Sequence, residues 1–192
     1  MPLWFACNDG RSDCVELLCE KTPTQYLLWP DDEGETCLHR AAMNGHAQCL
    51  EALCQRLPGV EDLYAVNKKQ HTAAHVASNA AVLQVLYENG ANLWLTDPKG
   101  RMPLFTASFF GRASCIAFLL DVASNNRPSV ISAADMQGDT ALHAACLCGR
   151  LNCVSLLLYY IRSKPNKQGL TPDQLATKAG HPQIAQLVVH IE

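Results

Sequence analysis

Three histidines lie near cysteines in this sequence of 192 residues: His39 follows Cys37, His143 precedes Cys146 and Cys148, and His75 recurs at the matching place of another segment. Imidazole beside thiol is the chemistry of an activated nucleophile or a zinc site. Spacing argues against both. Cys146-x-Cys148-x-x-x-x-Cys153 contains no C-x-x-C pair, and its members fall on two different predicted helices, whereas zinc needs ligands that converge tetrahedrally. Trp4, Phe105 and Gln174 stand where the histidine would be in other segments, a replacement that a shared catalytic or metal role would not tolerate. The chain also lacks a G-x-x-x-x-G-K-[ST] loop, a G-x-S-x-G elbow and an H-E-x-x-H helix. No catalytic residue, metal site or cofactor is therefore expected, and the chain reads as a non-enzyme.

The elements that carry these residues are stated most fully by Gly138 to Leu158, which reads as turn, helix, turn, helix. Gly138 allows a tight turn, Thr140 can cap a helix start, Ala141 to Leu147 is a short apolar helix, and Gly149 can take the positive φ that ends it. From Cys153 to Leu158 the apolar positions resume on a second helix. Helices of two or three turns are marginal alone, so each must pack on neighbours. Aligned on Thr140, the chain gives six units anchored at Met1, Thr36, Thr72, Met102, Thr140 and Thr171, with spacings of 35, 36, 30, 38 and 31 residues. Expected unit boundaries are 1–30, 31–66, 67–96, 97–134, 135–165 and 166–192, together one repeat domain spanning 1–192.

Thr36-Cys37-Leu38-His39-Arg40-Ala41-Ala42-Met43-Asn44-Gly45-His46 resembles the T-P-L-H-x-A-A-x-x-G-H signature of ankyrin repeats, whose period is about 33 residues. Met102 to Ser108 with Gly111, and Thr140 to Ala145 with Gly149, repeat it. A turn element echoes it too, in Asp31-x-x-Gly34, Asp97-x-x-Gly100, Asp135-x-x-Gly138 and Asn166-x-x-Gly169. The resemblance implies an all-α solenoid of about six helix-turn-helix units with short β-turn fingers, in which the recurrent histidine braces a turn by hydrogen bonding. The first unit enters the pattern at its helix, which reads as a fragment of a longer array. The last carries a polar Lys178, as a terminal repeat would. In the third unit Asn79-Ala80-Ala81 arrives early and predicts a shortened helix-to-helix turn. Ser124 to Ser129, and the segment carrying Pro58-Gly59, are expected to be tolerated loop insertions rather than binding elements.

Composition bounds the function. Hydrophobic residues are 48% and charged residues 17% of the chain, enough to bury a core. No apolar run is long enough for a membrane span, and the start lacks a signal peptide's features, so a cytoplasmic, reducing location is expected. Ten cysteines fit that setting: Cys14, Cys49, Cys115 and Cys153 occupy the same place in four units, the pattern of a small buried hydrophobe rather than of a disulfide scaffold. A net charge of −3 argues against nucleic-acid binding. Up to Val66 four basic residues face eleven acidic; from Asn67 onward eleven basic face seven acidic. That asymmetry reads either as solvated faces or as a polarised surface that orients a partner.

What remains is recognition. In ankyrin-like stacks the fingers and the exposed side of each first helix line a concave surface. The finger residues are Asp32, Glu33 and Glu35, then Lys68, Lys69 and His71, then Lys99 and Arg101, then Met136, Gln137 and Asp139, then Lys167 and Gln168. Two positions before each helix-ending glycine should also face the concavity. There Phe109 and Phe110, with Met43 and Leu147 alongside and Arg101 and Arg112 nearby, form the strongest hot spot, unless one Phe packs inward. Trp29 and Trp94, at matching places, read as partial covers or exposed anchors; two repeats apart, they cannot share an aromatic cage. The expected activity is a scaffold or adaptor module, monomeric within a larger chain, that binds a protein or peptide through Phe109, Phe110, Arg112, Met43, Lys68, Lys69, Lys99, Arg101, Leu147 and Gln137. The partner would offer acidic and apolar residues. A thiol-based redox- or metal-responsive module and a purely structural spacer are the alternatives.

Overall fold

The computed structural model describes residues 2–191, so the first anchor position, Met1, lies outside the described residues. Two compact units divide the chain, residues 1–95 and 96–192. In the first, α1 (Pro2–Asp9) and α2 (Ser12–Lys21) form a hairpin, followed by the single turn α3 (Thr24–Leu27). Next come the hairpin α4 (Cys37–Asn44) and α5 (Ala47–Cys54), a 3₁₀ turn over Val60–Tyr64, and the pair α6 (Ala73–Val76) and α7 (Ala80–Glu88). In the second unit α8 (Pro103–Phe110) pairs with α9 (Ala113–Asn126), α10 (Ala141–Leu147) with α11 (Leu151–Leu158), and α12 (Pro172–Lys178) with α13 (Pro182–Ile191). First helices pack on first helices and second on second, α1 on α4, α4 on α6, α2 on α5 and α5 on α7; α8, α10 and α12 follow the same rule, as do α9, α11 and α13. The all-α helix-pair architecture is the expected one.

Apolar spacing explains the packing. Leu38, Leu50, Leu53, Leu83 and Leu86 are fully buried in the first unit, as are Ile116, Leu119, Leu142, Val154 and Leu157 in the second. Alanines at 41, 42, 144 and 145 are buried too and let neighbouring first helices approach closely. Short helices that bury one face this completely are stabilised by their neighbours rather than by propensity.

Between the hairpins project the fingers, and one side chain organises each. Asp31 Oδ1 accepts the backbone N–H groups of Glu33 and Glu35; Asn67 Oδ1 accepts those of Lys69 and His71. Asp97, Asp135 and Asn166 repeat the pattern in the second unit. Backbone bonds then stitch finger to finger within a unit: Lys68 N–H to Glu33 O at 3.0 Å, Met136 N–H to Lys99 O at 2.9 Å and Lys167 N–H to Gln137 O at 2.9 Å. Gly34 fits this stitch because a Cβ there would come within 2.8 Å of the Lys68 nitrogen, and its φ is +77°. The corresponding residue of the next finger is Gln70, the one described non-glycine residue with positive φ, at 59°.

Two of the recurrent histidines, His39 and His143, link a helix start to the following finger, while His75 Nδ1 accepts the Thr72 N–H at 3.2 Å. His39 Nδ1 accepts the Thr36 N–H at 3.2 Å, and Nε2 donates to His71 O at 2.9 Å. His143 does the same with the Thr140 N–H and Leu170 O, at 3.1 and 3.3 Å. Both roles require a neutral ring protonated at Nε2. Burial pushes the pKa of both imidazoles below the ordinary 6.5. At the equivalent position Gln174 keeps the cap, its Oε1 accepting the Thr171 N–H at 3.1 Å.

Four expectations are corrected. In the third repeat the helix itself is shortened, to Ala73–Val76, while three residues join it to α7. Asn79 accounts for this: its Oδ1 caps Val82 N–H and its Nδ2 donates to Gly45 O. Ser124, Asn125 and Asn126 are not a loop but the last turn of α9, extended because Val122 and Ala123 are buried and Ser124 Oγ bonds Leu120 O. Cys14 is exposed, unlike Cys49, Cys115 and Cys153, because no described helix pair covers its face of α2. Glu35 is buried and accepts from Asn67 Nδ2 at 2.9 Å, so it braces the finger instead of facing a partner.

Two measurements follow from these arrangements. Gln70→Gly removes a left-handed L-residue while adding unfolded-state freedom, and it should stabilise the fold by about 0.5–1 kcal/mol in urea titration; a loss of stability would contradict the reading. Acid should destabilise in two stages. The contribution of neutral His39 and His143 is complete above 6.5 and falls away as the pH drops below it, because the unfolded chain protonates first. A second loss begins below the ordinary Asp value of 3.8. Burial opposes ionisation of Asp31 and Asp97, but Arg40, Arg101 and the finger N–H groups outweigh it, holding Asp97 down to about 2. Thermal melts across this range would show both stages.

Candidate functional site

The second unit gathers most of the expected contact residues. Phe109 and Phe110 end α8, and both rings are exposed, over 40% and 54% of their surfaces. Neither packs inward. Their centroids lie 5.3 Å apart in an edge-to-face pair, a favoured aromatic geometry. The Arg112 guanidinium lies 4.9 Å from the centre of the Phe110 ring. Arg150, from the next repeat, donates Nε–H to Phe109 O at 3.3 Å, which ties down the last turn that carries both rings. Leu147, at the corresponding place on α10, is exposed over 43% of its surface. Lys99 and Gln137 are exposed at the finger tips. Arg101 is differently placed, since its Nε donates to Asp97 Oδ2 at 2.8 Å and its charge braces its own finger.

The first unit holds the remaining three. Lys68 and Lys69 are exposed at their finger, and Met43 is half-buried near the end of α4. The thiols divide clearly. Cys7, Cys19, Cys37, Cys49, Cys115, Cys146 and Cys153 are buried, Cys54 and Cys148 half-buried, and all are unbridged. Burial pushes Cys146 up to about 12 and Cys19, Cys54 and Cys115 up to about 11. The Cys7 thiol rises through its hydrogen bond to Cys37 and its burial. Such thiols are poor nucleophiles and poor metal ligands. No group of three His, Cys, Asp or Glu side chains suited to a metal occurs among the described residues.

The first unit also holds a pocket that residue spacing does not reveal. About 470 Å³ in volume, it is walled by Trp4, Phe5 and Trp29 and edged by Asp31, Asp32, Glu33 and Arg40. Trp29 is exposed over 57% of its surface. The Arg40 guanidinium lies 4.6 Å from the centre of the Trp4 ring while Nη2 donates to Asp31 Oδ2 at 2.8 Å. Trp4 occupies the place of the finger-bracing histidine, and its Nε1 is buried without a hydrogen-bond partner. That substitution was the available signal: an indole in the imidazole's place cannot both accept at the helix start and donate to the finger.

Comparison with known proteins agrees with this architecture. The family described as ankyrin repeats in three copies matches residues 1–63, 70–168 and 122–192. SH3 and multiple ankyrin repeat domains protein 2 of Homo sapiens is 27% identical over 192 residues, covering 97% of this chain and 10% of that protein. NF-kappa-B inhibitor delta of Mus musculus is 28% identical over 191 residues, covering 86% of this chain and 58% of that protein. The chain thus spans less than two thirds of the length of either. Among solved structures, a chain from the complex of a predatory endopeptidase of Bdellovibrio bacteriovorus with an immunity protein superposes with a TM-score of 0.75 at 23% identity, covering 100% of this chain and 98% of that one. At that identity the likeness concerns the fold. Six spaced helix starts, fingers built on one Asp or Asn each, histidine braces and a family match across nearly the whole length lead to one conclusion: the chain belongs to the ankyrin-repeat family.

Proposed function

We propose that this chain is a non-catalytic interaction module, a scaffold or adaptor that binds a segment of a partner protein within a reducing, intracellular setting. One observation carries the reading: the exposed edge-to-face pair Phe109 and Phe110, held on a tied-down helix end. Adjacent large aromatics left in water are costly unless a partner covers them, and aromatic and arginine residues dominate the energetics of interfaces. Leu147 and Arg112 extend the apolar contact, with Lys99 and Gln137 supplying polar contacts at the fingers. Exposed Lys68 and Lys69 favour acidic residues in what binds the first unit. That ankyrin repeats generally mediate protein interaction supports the reading, and the raised thiols give nothing to the redox alternative.

Phe110→Ala should reduce recovery of bound proteins in a pull-down by about tenfold, the effect of losing a central aromatic anchor. Lys69→Glu should weaken capture of acidic partners and make it less salt-sensitive. Unchanged recovery by both variants, with unchanged melting temperatures, would overturn this placement. For the thiols, a disulfide reagent should label Cys14 first, Cys54 and Cys148 slowly, and the seven buried cysteines only on unfolding. Rapid labelling of several would favour the redox module.

A further inference from the structure

The hairpin turns of the second unit carry a chemistry of their own. Phe109, Leu147 and Lys178 stand at one place in three successive helix pairs, two residues before the positive-φ glycine that closes each first helix, at Gly111, Gly149 and Gly180. One residue after those glycines come Arg112, Arg150 and His181. The turns pack on one another, so the two rows form a continuous edge. The Arg150 side chain lies against Gly111, where a Cβ would come within 2.9 Å of its Cδ, and the His181 ring lies against Gly149. Phe109 and Leu147 are exposed although a further helix pair follows each, so this exposure belongs to the position and not to the end of the array. Lys178 is exposed at the same place. No carboxylate interrupts the edge: the sequence holds no Asp or Glu between Met102 and Asp121, between Asp139 and Asp173, or from Gln174 to Ile191. The finger carboxylates of the unit are engaged elsewhere, Asp97 with Arg101 and Asp139 with Asn166 Nδ2. Arg150 and Lys178 form no ion pair with a described residue. The first unit differs at the matching places, where Asn8, Asp9 and Asn44 stand and Asp13 follows the first turn.

We propose that this edge receives an acidic segment of the partner protein, with one large apolar side chain seated on Phe109, Phe110 and Leu147 and carboxylates turned toward Arg150 and Lys178. The inference rests on the reading of Phe109 and Phe110 as a contact surface. It adds the residues that select for acid and the order in which the segment lies, apolar anchor over the first two helix pairs and acid toward the last. An apolar partner without carboxylates would strip water from Arg150 and Lys178 and leave their donors unmet, which costs more than a hydrogen bond returns. A basic partner would meet like charge. Arg150 is suited to the role because its Nε–H is held on Phe109 O, which places the guanidinium beside the rings. Its two terminal amino groups then present the planar fork that matches a carboxylate. An anionic bilayer shares the negative charge, but the net charge of −3 on the chain opposes approach to an extended negative surface. A short segment feels chiefly the cations within a Debye length of about 8 Å.

The test uses the whole chain and an array of short capped peptides in which one leucine or tryptophan is flanked by glutamates, by glutamines or by lysines. Fluorescence anisotropy should show saturable binding of the glutamate peptides, about tenfold tighter than their glutamine counterparts, and no binding of the lysine peptides. Arg150→Gln with Lys178→Gln should bring the glutamate peptides down to the glutamine level and leave the glutamine peptides unchanged. Lys178→Glu alters an exposed side chain, should keep the parent melting temperature, and should lower the glutamate preference severalfold by itself. Phe110→Ala should weaken glutamate and glutamine peptides alike. Equal affinity for the two series would overturn the proposal. So would an undiminished preference in Lys178→Glu, or co-sedimentation with phosphatidylserine vesicles where no glutamate peptide binds. Loss of binding in Phe110→Ala with the charge variants unaltered would leave the contact surface standing and remove this partner chemistry alone. Unaltered binding by Phe110→Ala would instead remove the contact surface itself.

Discussion

The structure depends on a neutral imidazole that joins a helix start to the next finger. In His39 and His143 one ring nitrogen accepts a cap N–H and the other donates to a carbonyl 32 and 27 residues further on. A hydrogen bond of this kind contributes only about 1 kcal/mol net, but leaving either buried partner unmet costs about 1–3 kcal/mol, so the ring fixes both ends of the connection. The finger needs that fixing. Its own bonds run from one Asp or Asn side chain to two backbone N–H groups, which shape the turn without saying where it points. The imidazole supplies the direction, and the finger-to-finger backbone bonds then pass it along each unit.

Where the imidazole is replaced, the surroundings change in a way the substituent dictates. Gln174 has an acceptor and keeps the cap. Phe105 has none, and the Arg101 guanidinium lies 5.9 Å from the centre of its ring instead. Trp4 has a donor, its buried Nε1–H, that meets no acceptor. The finger in front of it is consequently backed by an aromatic pocket rather than by a hydrogen bond.

Sequence spacing made the helices, fingers and braces legible because each is set by residues within a few positions of one another. Thr36 and His39, Asp97 and Gly100, Thr140 and His143 interact inside one turn, and their types alone imply the geometry. What spacing hid was decided by neighbours. Cys14 matches Cys49 in position but not in burial, since burial belongs to the covering helices. Ser124 to Asn126 has turn-forming residues, yet the buried Val122 and Ala123 carry the helix through them. Trp4 and Trp29 are separated by a helix hairpin in sequence and meet only once the chain folds. Position in the repeat pairs Trp29 with Trp94, whereas its neighbours in space include Tyr26, whose ring centroid lies 5.9 Å away.

The exposed aromatic side chains of the two units illustrate one rule of repeat architecture. Positions that build the frame are constrained by contacts on both sides, so chemistry can vary only where a helix end or finger tip faces outward. In the second unit that freedom is spent on a phenylalanine pair held by Arg150 to the Phe109 carbonyl; in the first it is spent on indoles beside carboxylates. Both sets stand on backbone already ordered by the frame. Their backbone has little conformational entropy left to lose on binding, which is the condition under which a few exposed aromatics would suffice to hold a partner.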